Sequence, residues 1–298
     1  MTEAFKNNKK RRSGIGNRDG MALVLTLMVV AIITAVVVEF AYGVYVNTNA
    51  LYNWQTSQKL SLAARSATKL ASSLISQYGR ETLAYPGFIE MSRPIPAGDL
   101  EGTITIRIED ENAKFNMDGL GGLVTTSEDP YDSFVRLLEA LELDPDIADR
   151  VAYWVESDTE HRPRGGDAKS KDAKLDSIDE LLRIPGIDRD VYDKLAPYVT
   201  IYGDKSININ SAGVPVLMSH SRIDRDGAEK IIQYREFTPF TQETDIDQKV
   251  PGFGDVGTSG LVVRGSAFRV VATAESGGIR RVVESVLWGG SIKYWKEY

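Results

Sequence analysis

The chain has 298 residues, 42% of them hydrophobic and 26% charged, which suits a folded portion of about 200 residues plus one anchor. Its formal net charge is −7, and an acidic chain argues against nucleic acid as a main partner while suiting oxygen-seeking cations. It contains no cysteine, which excludes disulfides, thiolate zinc sites and cysteine nucleophiles.

The chain opens with a basic leader. Lys6, Lys9, Lys10, Arg11, Arg12 and Arg18 are opposed only by Glu3 and Asp19, so the remainder carries −11. Met21 to Val38 follows without a charge and with two hydroxyls, Thr26 and Thr34. A run of about 18 residues at 1.5 Å rise can cross a bilayer core, and the basic side is expected to stay in the cytoplasm. The run is longer than the apolar core of a cleaved signal peptide, and Glu39-Phe40-Ala41-Tyr42 offers no cleavage site of the usual kind. A plain signal anchor is one reading. The other rests on Gly20, which lies between the basic leader and Met21.

From Val44 to Tyr78 there is no Gly or Pro, and Ala63, Ala67, Leu70 and Leu74 recur at helical spacing. This predicts one helix leaving the membrane, roughly 85 Å long if unbroken from Met21 to Tyr78, with a bend at Gly43 and a stop at Gly79. Thr103 to Glu109 alternates with Ile104, Ile106 and Ile108 on one face, which predicts a strand. Asp110-Glu111-Asn112 is read as a turn and Ala113 to Met117 as the returning strand. Phe268 to Glu275, Ser276-Gly277-Gly278 and Ile279 to Trp288 read as a hairpin.

The roughly 150 residues between the strand pairs have helical character. Helices are expected over Tyr131 to Leu141, over Asp144 to Val155 with Asp144-Pro145 at its start, from Ser177 with Leu181 to Ile187 running into a second helix through Leu195, and over Ile223 to Arg235. Ser177-Ile178-Asp179-Glu180 has the pattern of a capping box. Glu156 to Asp172 is polar, and Ser206 to Ala212 is a short extended piece. The expected fold is α+β: a long N-terminal helix packed on a small antiparallel sheet, with a large inserted all-α domain. The expected divisions are a leader over 1–20, a transmembrane helix over 21–42, a helix and first strands over 43–118, the α-helical insert over 119–250, and closing strands over 251–298.

These features, in order, resemble a known family. Gly20 before an apolar helix is similar to the leader of type IV pilins and pseudopilins, which a membrane peptidase cuts after the Gly. The fifth residue past that junction is Leu25, where most of these proteins carry Glu. Together with the strand into Asn116, Trp154 and its acidic loop, the Glu180-Leu181 to Gly186 turn and Ile209-Asn210-Ser211-Ala212, the pattern resembles the K pseudopilins of the type II secretion system. The resemblance implies cleavage between Gly20 and Met21 by prepilin peptidase, N-methylation of Met21, and a bulk that is periplasmic. It implies a place at the tip of the pseudopilus, with the minor pseudopilins I and J and other pseudopilins as partners. A minor pilin of a type IV pilus or DNA-uptake system is the alternative, and a lone periplasmic binder on an anchor a third reading.

The resemblance also implies calcium, with Glu156, Asp158 and Asp167 in the matching loop. The loop is not an EF-hand: His161 stands where the turn Gly belongs, and Asp167 replaces the bidentate Glu. The competing reading is a solvated loop whose acids, Glu160 included, face Arg162 and Arg164. Glu243, Asp245 and Asp247 are a weaker second candidate. The helical pieces resemble helix-hairpin-helix units, but Asp188 and Asp224 stand where phosphate contact wants bare backbone N–H groups. No enzyme is expected: His161 and His220 lie in no metalloprotease motif, and Ser219 and Ser221 beside His220 make no catalytic pair by adjacency alone.

Overall fold

The computed structural model describes residues 16–82, 88–95, 101–120, 129–155, 171, 173–250, 253, 257 and 259–298. The chain divides into two units, residues 1–56 and 57–298. Helix α1, Gly16–Thr82, is continuous through Gly43 and through Gly79. The expected stop was three residues early, because a lone Gly only weakens a helix by about 1 kcal/mol and nothing there forces it to end.

Among the described residues of 57–298, five strands form one antiparallel sheet. They are β1 (Phe88–Pro94), β2 (Thr103–Asp110), β7 (Ala267–Ser276), β8 (Ile279–Trp288) and β9 (Ser291–Glu297), in the order β1-β2-β7-β8-β9. The long chain stretch between β2 and β7 carries β3 (Phe115–Asn116), β4 (Val199–Thr200), β5 (Ile207–Asn208) and β6 (Leu261–Val262). It also carries α2 (Pro130–Ala140), α3 (Ile147–Val155), α4 (Arg189–Leu195), α5 (Val214–Met218), α6 (Arg225–Phe237) and α7 (Asp245–Lys249).

The sheet's alternation sets its buried face. Phe268, Val270, Ala272 and Ala274 on β7 and Ile106 and Ile108 on β2 turn toward α1, which answers with Leu60, Ala64, Ala67 and Ala71. Small side chains on both surfaces let helix and sheet approach closely. Polar contacts fix the β8–β9 flank: Arg281 donates to Ser57 at 2.7 Å, and Arg65 pairs with Glu297 at 2.7 Å. Gly277 and Gly278 both have positive φ, as a two-residue hairpin turn of this hand requires, and Gly289-Gly290 repeats the device into β9.

The returning strand expected over Ala113 to Met117 is not there. Asp110 caps a 3-10 turn over Glu111–Ala113 by accepting from the Asn112 amide, and the chain leaves the sheet. Phe115–Asn116 then pairs in parallel with Val199–Thr200, while β2 takes β1 and β7 as its neighbours. In the helical part, Asp144 accepts from Asp146 N–H at 3.0 Å but regular α-helix begins only at Ile147. Ser177 caps a 3-10 helix, Ile178–Arg183. Glu180 does not close the expected box on Ser177; it accepts instead from Asp176 N–H and from Lys171. A second core fills this part, with Phe134, Leu137, Leu181, Ile209, Leu217 and Ile231 at its centre.

Candidate functional site

Two features are set up to do something: the apolar half of α1, and the buried polar junction where the sheet gives way to the helical part. In the first, side chains from Met21 to Val38 are exposed, Met21 at 70% and Leu25 at 64%. The two hydroxyls are satisfied within the helix, Thr26 donating to Leu23 C=O at 2.9 Å and Thr34 to Val30 C=O at 2.8 Å. The surface of this stretch therefore presents no unmet polar group to lipid or to an apolar neighbour. Gly20 lies in the helix with open space around its Cα. Nothing in the helix around Leu25 supplies a carboxylate in its stead: the first acid after Met21 is Glu39.

The second feature is built from Asp110, Glu111 and Asn112, three consecutive polar side chains that are all buried. Glu111 is wholly enclosed. It accepts from Lys114 Nζ at 3.0 Å, from Arg269 Nε at 2.8 Å on β7, and from the Thr200 hydroxyl on β4. Burial works against its charge, yet the Lys114 and Arg269 cations hold its carboxyl down at about 2. Arg269 is shared with Glu284 of β8 and lies over the Tyr202 ring at 6.0 Å. Asp110 accepts from Asn208 Nδ2 and Ser211 Oγ, both at 2.6 Å, and from Asn112 N–H at 2.9 Å. Among the described residues no ion pair to Asp110 is found, and burial pushes its carboxyl up to about 6, against its three hydrogen bonds. Asn112 bridges Ser206 C=O and Ser266 N–H, and Asn116 Nδ2 donates to the carbonyls of Tyr202, Gly203 and Asp204.

Four of these bonds, Glu111 to Thr200, Asp110 to Asn208 and Ser211, and Asn112 to Ser206, join the end of β2 to the chain around β4 and β5. The junction thus holds the helical part in one orientation on the sheet. The sequence reads Asp110-Glu111-Asn112 as a turn, and polar residues after an alternating strand give no local sign of burial. The available signal was the recurrence of Asn at 112, 116, 208 and 210, next to short apolar pieces. Asn210 repeats the pattern, donating to Phe240 C=O and Val263 C=O and accepting from Phe240 N–H.

The two acids make opposite demands on pH. Glu111, held below its ordinary value, stabilises the fold above about pH 4.5, and that contribution is lost as pH falls toward 2. Asp110, raised above its ordinary value, does the reverse: stability falls as pH rises from about 4 to 6 and the buried carboxylate ionises. An Asp110→Asn variant removes that slope. The stability difference between wild type and variant should shift by up to roughly 3 kcal/mol between pH 4 and pH 7. Unfolding curves of the full chain in detergent would show it, and a pH-independent difference would contradict it.

The helix-hairpin-helix turns are closed to anions. Asp188 accepts from Val191 N–H at 2.9 Å and Asp224 from Gly227 N–H at 2.8 Å, with nearly identical backbone angles. Each carboxylate occupies the helix N-terminus that a phosphate would need. His220 is buried, donating from Nε2 to Ser259 C=O and accepting Arg222 N–H at Nδ1. Ser219 donates to Val216 C=O at 2.7 Å.

Of the metal candidates, Glu156, Asp158, Glu160 and Asp167 lie outside the described residues. Asp245 is used otherwise: it accepts from the amide and hydroxyl of Thr241 and pairs with Lys249 at 2.8 Å, which holds its carboxyl well below the usual range. Among the described residues no three acidic or histidine side chains converge as metal ligands, so the second candidate, Glu243 with Asp245 and Asp247, is withdrawn.

Comparison with known proteins gives a consistent result. Residues 113–204 match the family model described as type II secretion system (T2SS), protein K, and residues 203–256 match a helix-hairpin-helix motif. A type II secretion system protein K from Pseudomonas aeruginosa is 27% identical, covering 92% of this chain and 89% of that protein. One from Aeromonas hydrophila is 23% identical, covering 91% and 93%. Among solved structures, the crystal structure of the GspK–GspI–GspJ complex from the enterotoxigenic Escherichia coli type 2 secretion system contains a chain of the same fold. The TM-score is 0.65 at 20% identity, covering 85% of this chain and 99% of that one.

Proposed function

We propose that the chain is a member of the type II secretion system protein K family, which its matches to that family support, and that it works by assembly at the tip of the periplasmic pseudopilus. In this reading prepilin peptidase cuts between Gly20 and Met21, Met21 is N-methylated, and the apolar helix stays as the mature N-terminus. The protein spans the inner membrane once, with its basic end in the cytoplasm. Its partners are the minor pseudopilins I and J, in keeping with the complex named for the structural relative.

The observation that carries the tip position is Leu25 on an exposed, uncharged helix face. A carboxylate in an apolar interior needs a cation, and in a filament that cation comes from the next subunit. Leucine makes no such demand, so a subunit bearing it is complete with one neighbour missing. Mass spectrometry of the mature protein tests processing: an N-terminus at Met21 is expected, and an intact Met1 would remove the reading. Leu25→Glu tests position. It should lower export of a reporter several-fold, since the new acid lacks a partner at the filament end. Normal export, with the variant distributed along the shaft, would sink the terminal role.

Calcium held by Glu156, Asp158 and Asp167 is part of the same proposal. Supporting it is the clustering of hard oxygen donors in one short polar stretch of an acidic sequence. If an ion binds only the folded state, a thousandfold excess over its Kd raises stability by about 4 kcal/mol. Thermal unfolding of the full chain with Ca²⁺ and with chelator reads this directly, and identical curves would refute the site.

A further inference from the structure

Between Met21 and Lys59 the chain carries one charge, Glu39. The uncharged helix does not end where the bilayer core does. Met21 to Gln55 spans about 53 Å at 1.5 Å per residue, against a hydrocarbon thickness of about 30 Å. Holding all of it in lipid needs a tilt of roughly 55°, beyond the 0–40° seen for such helices, and would put Glu39 at mid-membrane, where a carboxylate is costly. The run therefore divides at Glu39, with Met21–Val38 in the hydrocarbon and Phe40–Gln55 outside it.

That outer part is unsuited to water. Phe40, Tyr42, Tyr45, Tyr52 and Trp54 are each more than 60% exposed, and with Val44, Val46 and Leu51 they occur all round the helix rather than on one stripe. A helix apolar on every side is a buried helix. Asn47, Asn49, Asn53 and Gln55 add amides suited to bonds between helices. Among the described residues Glu39 is exposed, and one turn away on either side stand Ala35 and Gly43, neither of which can neutralise it.

We propose that Glu39 is the recognition charge of this surface: it pairs with a lysine or arginine on the helix of another membrane-anchored subunit, at the extracytoplasmic border, and so sets the register in which that helix covers Phe40–Gln55. The pairing rests on the assembly reading above for the existence of such a subunit, and on charge and length for its chemistry. A lipid amine could face Glu39 at the headgroup level, but lipid cannot cover the 24 Å or so of helix beyond it. A protein helix does both.

Because the chain has no cysteine, single-cysteine probes are unambiguous. A photo-activatable cross-linker attached at position 42 or 45 of the full-length protein, with Glu39 intact, is irradiated in native membranes and the adducts are mapped by mass spectrometry. The expected adduct is a helical segment of another single-pass chain with Lys or Arg within one turn of the attachment point. Its yield should fall on the order of fivefold in Glu39→Gln and recover in Glu39→Asp. Adducts to lipid alone, no adducts, adducts to a segment without a cation, or a yield indifferent to Glu39→Gln would each overturn the proposal. The N-terminus of the same sample is read in parallel. Processing at Met21 with no such adduct defeats the charge pairing alone, whereas an intact Met1 defeats the pseudopilin reading even if an adduct forms.

Discussion

Gly265→Ala should destabilise the protein by about 3 kcal/mol, although it adds a single methyl group. A Cβ built at Gly265 falls 2.3 Å from Asp110 Oδ1, 2.7 Å from its Cγ and 2.9 Å from Oδ2. The carboxylate cannot step aside, because Asn208, Ser211 and the Asn112 amide fix it. Moving it would strand buried donors, and moving residue 265 would pull on Ser266, which donates to Asn112. Gly186→Ala makes an instructive contrast. Its Cβ would fall even closer to a neighbour, 1.9 Å from Arg150 Nη1, but that is the tip of a half-exposed flexible side chain. What remains is the strain of a positive φ of 86°, on the order of 1–2 kcal/mol. Chemical denaturation of the two variants should rank Gly265→Ala well below Gly186→Ala. Equal losses would show that the junction yields.

Glu111→Ala is expected to cost about 3–5 kcal/mol, the range for removing one partner of a buried ion pair. Glu111 balances Lys114 and Arg269 and accepts the Thr200 hydroxyl, so its loss leaves that donor unmet and the two cations short of a carboxylate, Lys114 keeping only Glu109 at 3.6 Å. Arg269 keeps Glu284, which limits the damage on the β8 side. Glu111→Gln retains the shape and an acceptor and should lose less. A loss below about 1 kcal/mol for Glu111→Ala, in the range of surface ion pairs, would mean that water reaches the site. Because the junction sets the orientation of the helical part, limited proteolysis of Glu111→Ala should also open the chain between β2 and β4 before the sheet itself unfolds.

Much of the architecture was legible from the residues alone, for local reasons. The apolar run and the unbroken stretch after it specify α1, since helix formation and lipid solubility depend on neighbours within a turn or two. Ile104, Ile106 and Ile108 announce β2 by alternation, and Gly277-Gly278 announces a hairpin because both positions need positive φ. Gly289-Gly290 carries the same signal before β9, within the closing strands expected over 251–298. β1 is an edge strand of mixed polarity whose identity comes from pairing with β2, and no periodicity within Phe88–Pro94 reveals it.

What the sequence by itself determined is an α+β chain with one helix long and apolar enough to cross a bilayer, because charge and hydropathy are properties of single residues and short windows. What only the tertiary structure decided is the fate of Asp110-Glu111-Asn112. The same three letters serve equally as a solvated turn or as a buried hub, and the difference lies in partners about 90 to 160 positions away: Thr200, Asn208, Ser211 and Arg269. A buried carboxylate is tolerable only when distant donors converge on it, and that convergence exists only once the chain has folded.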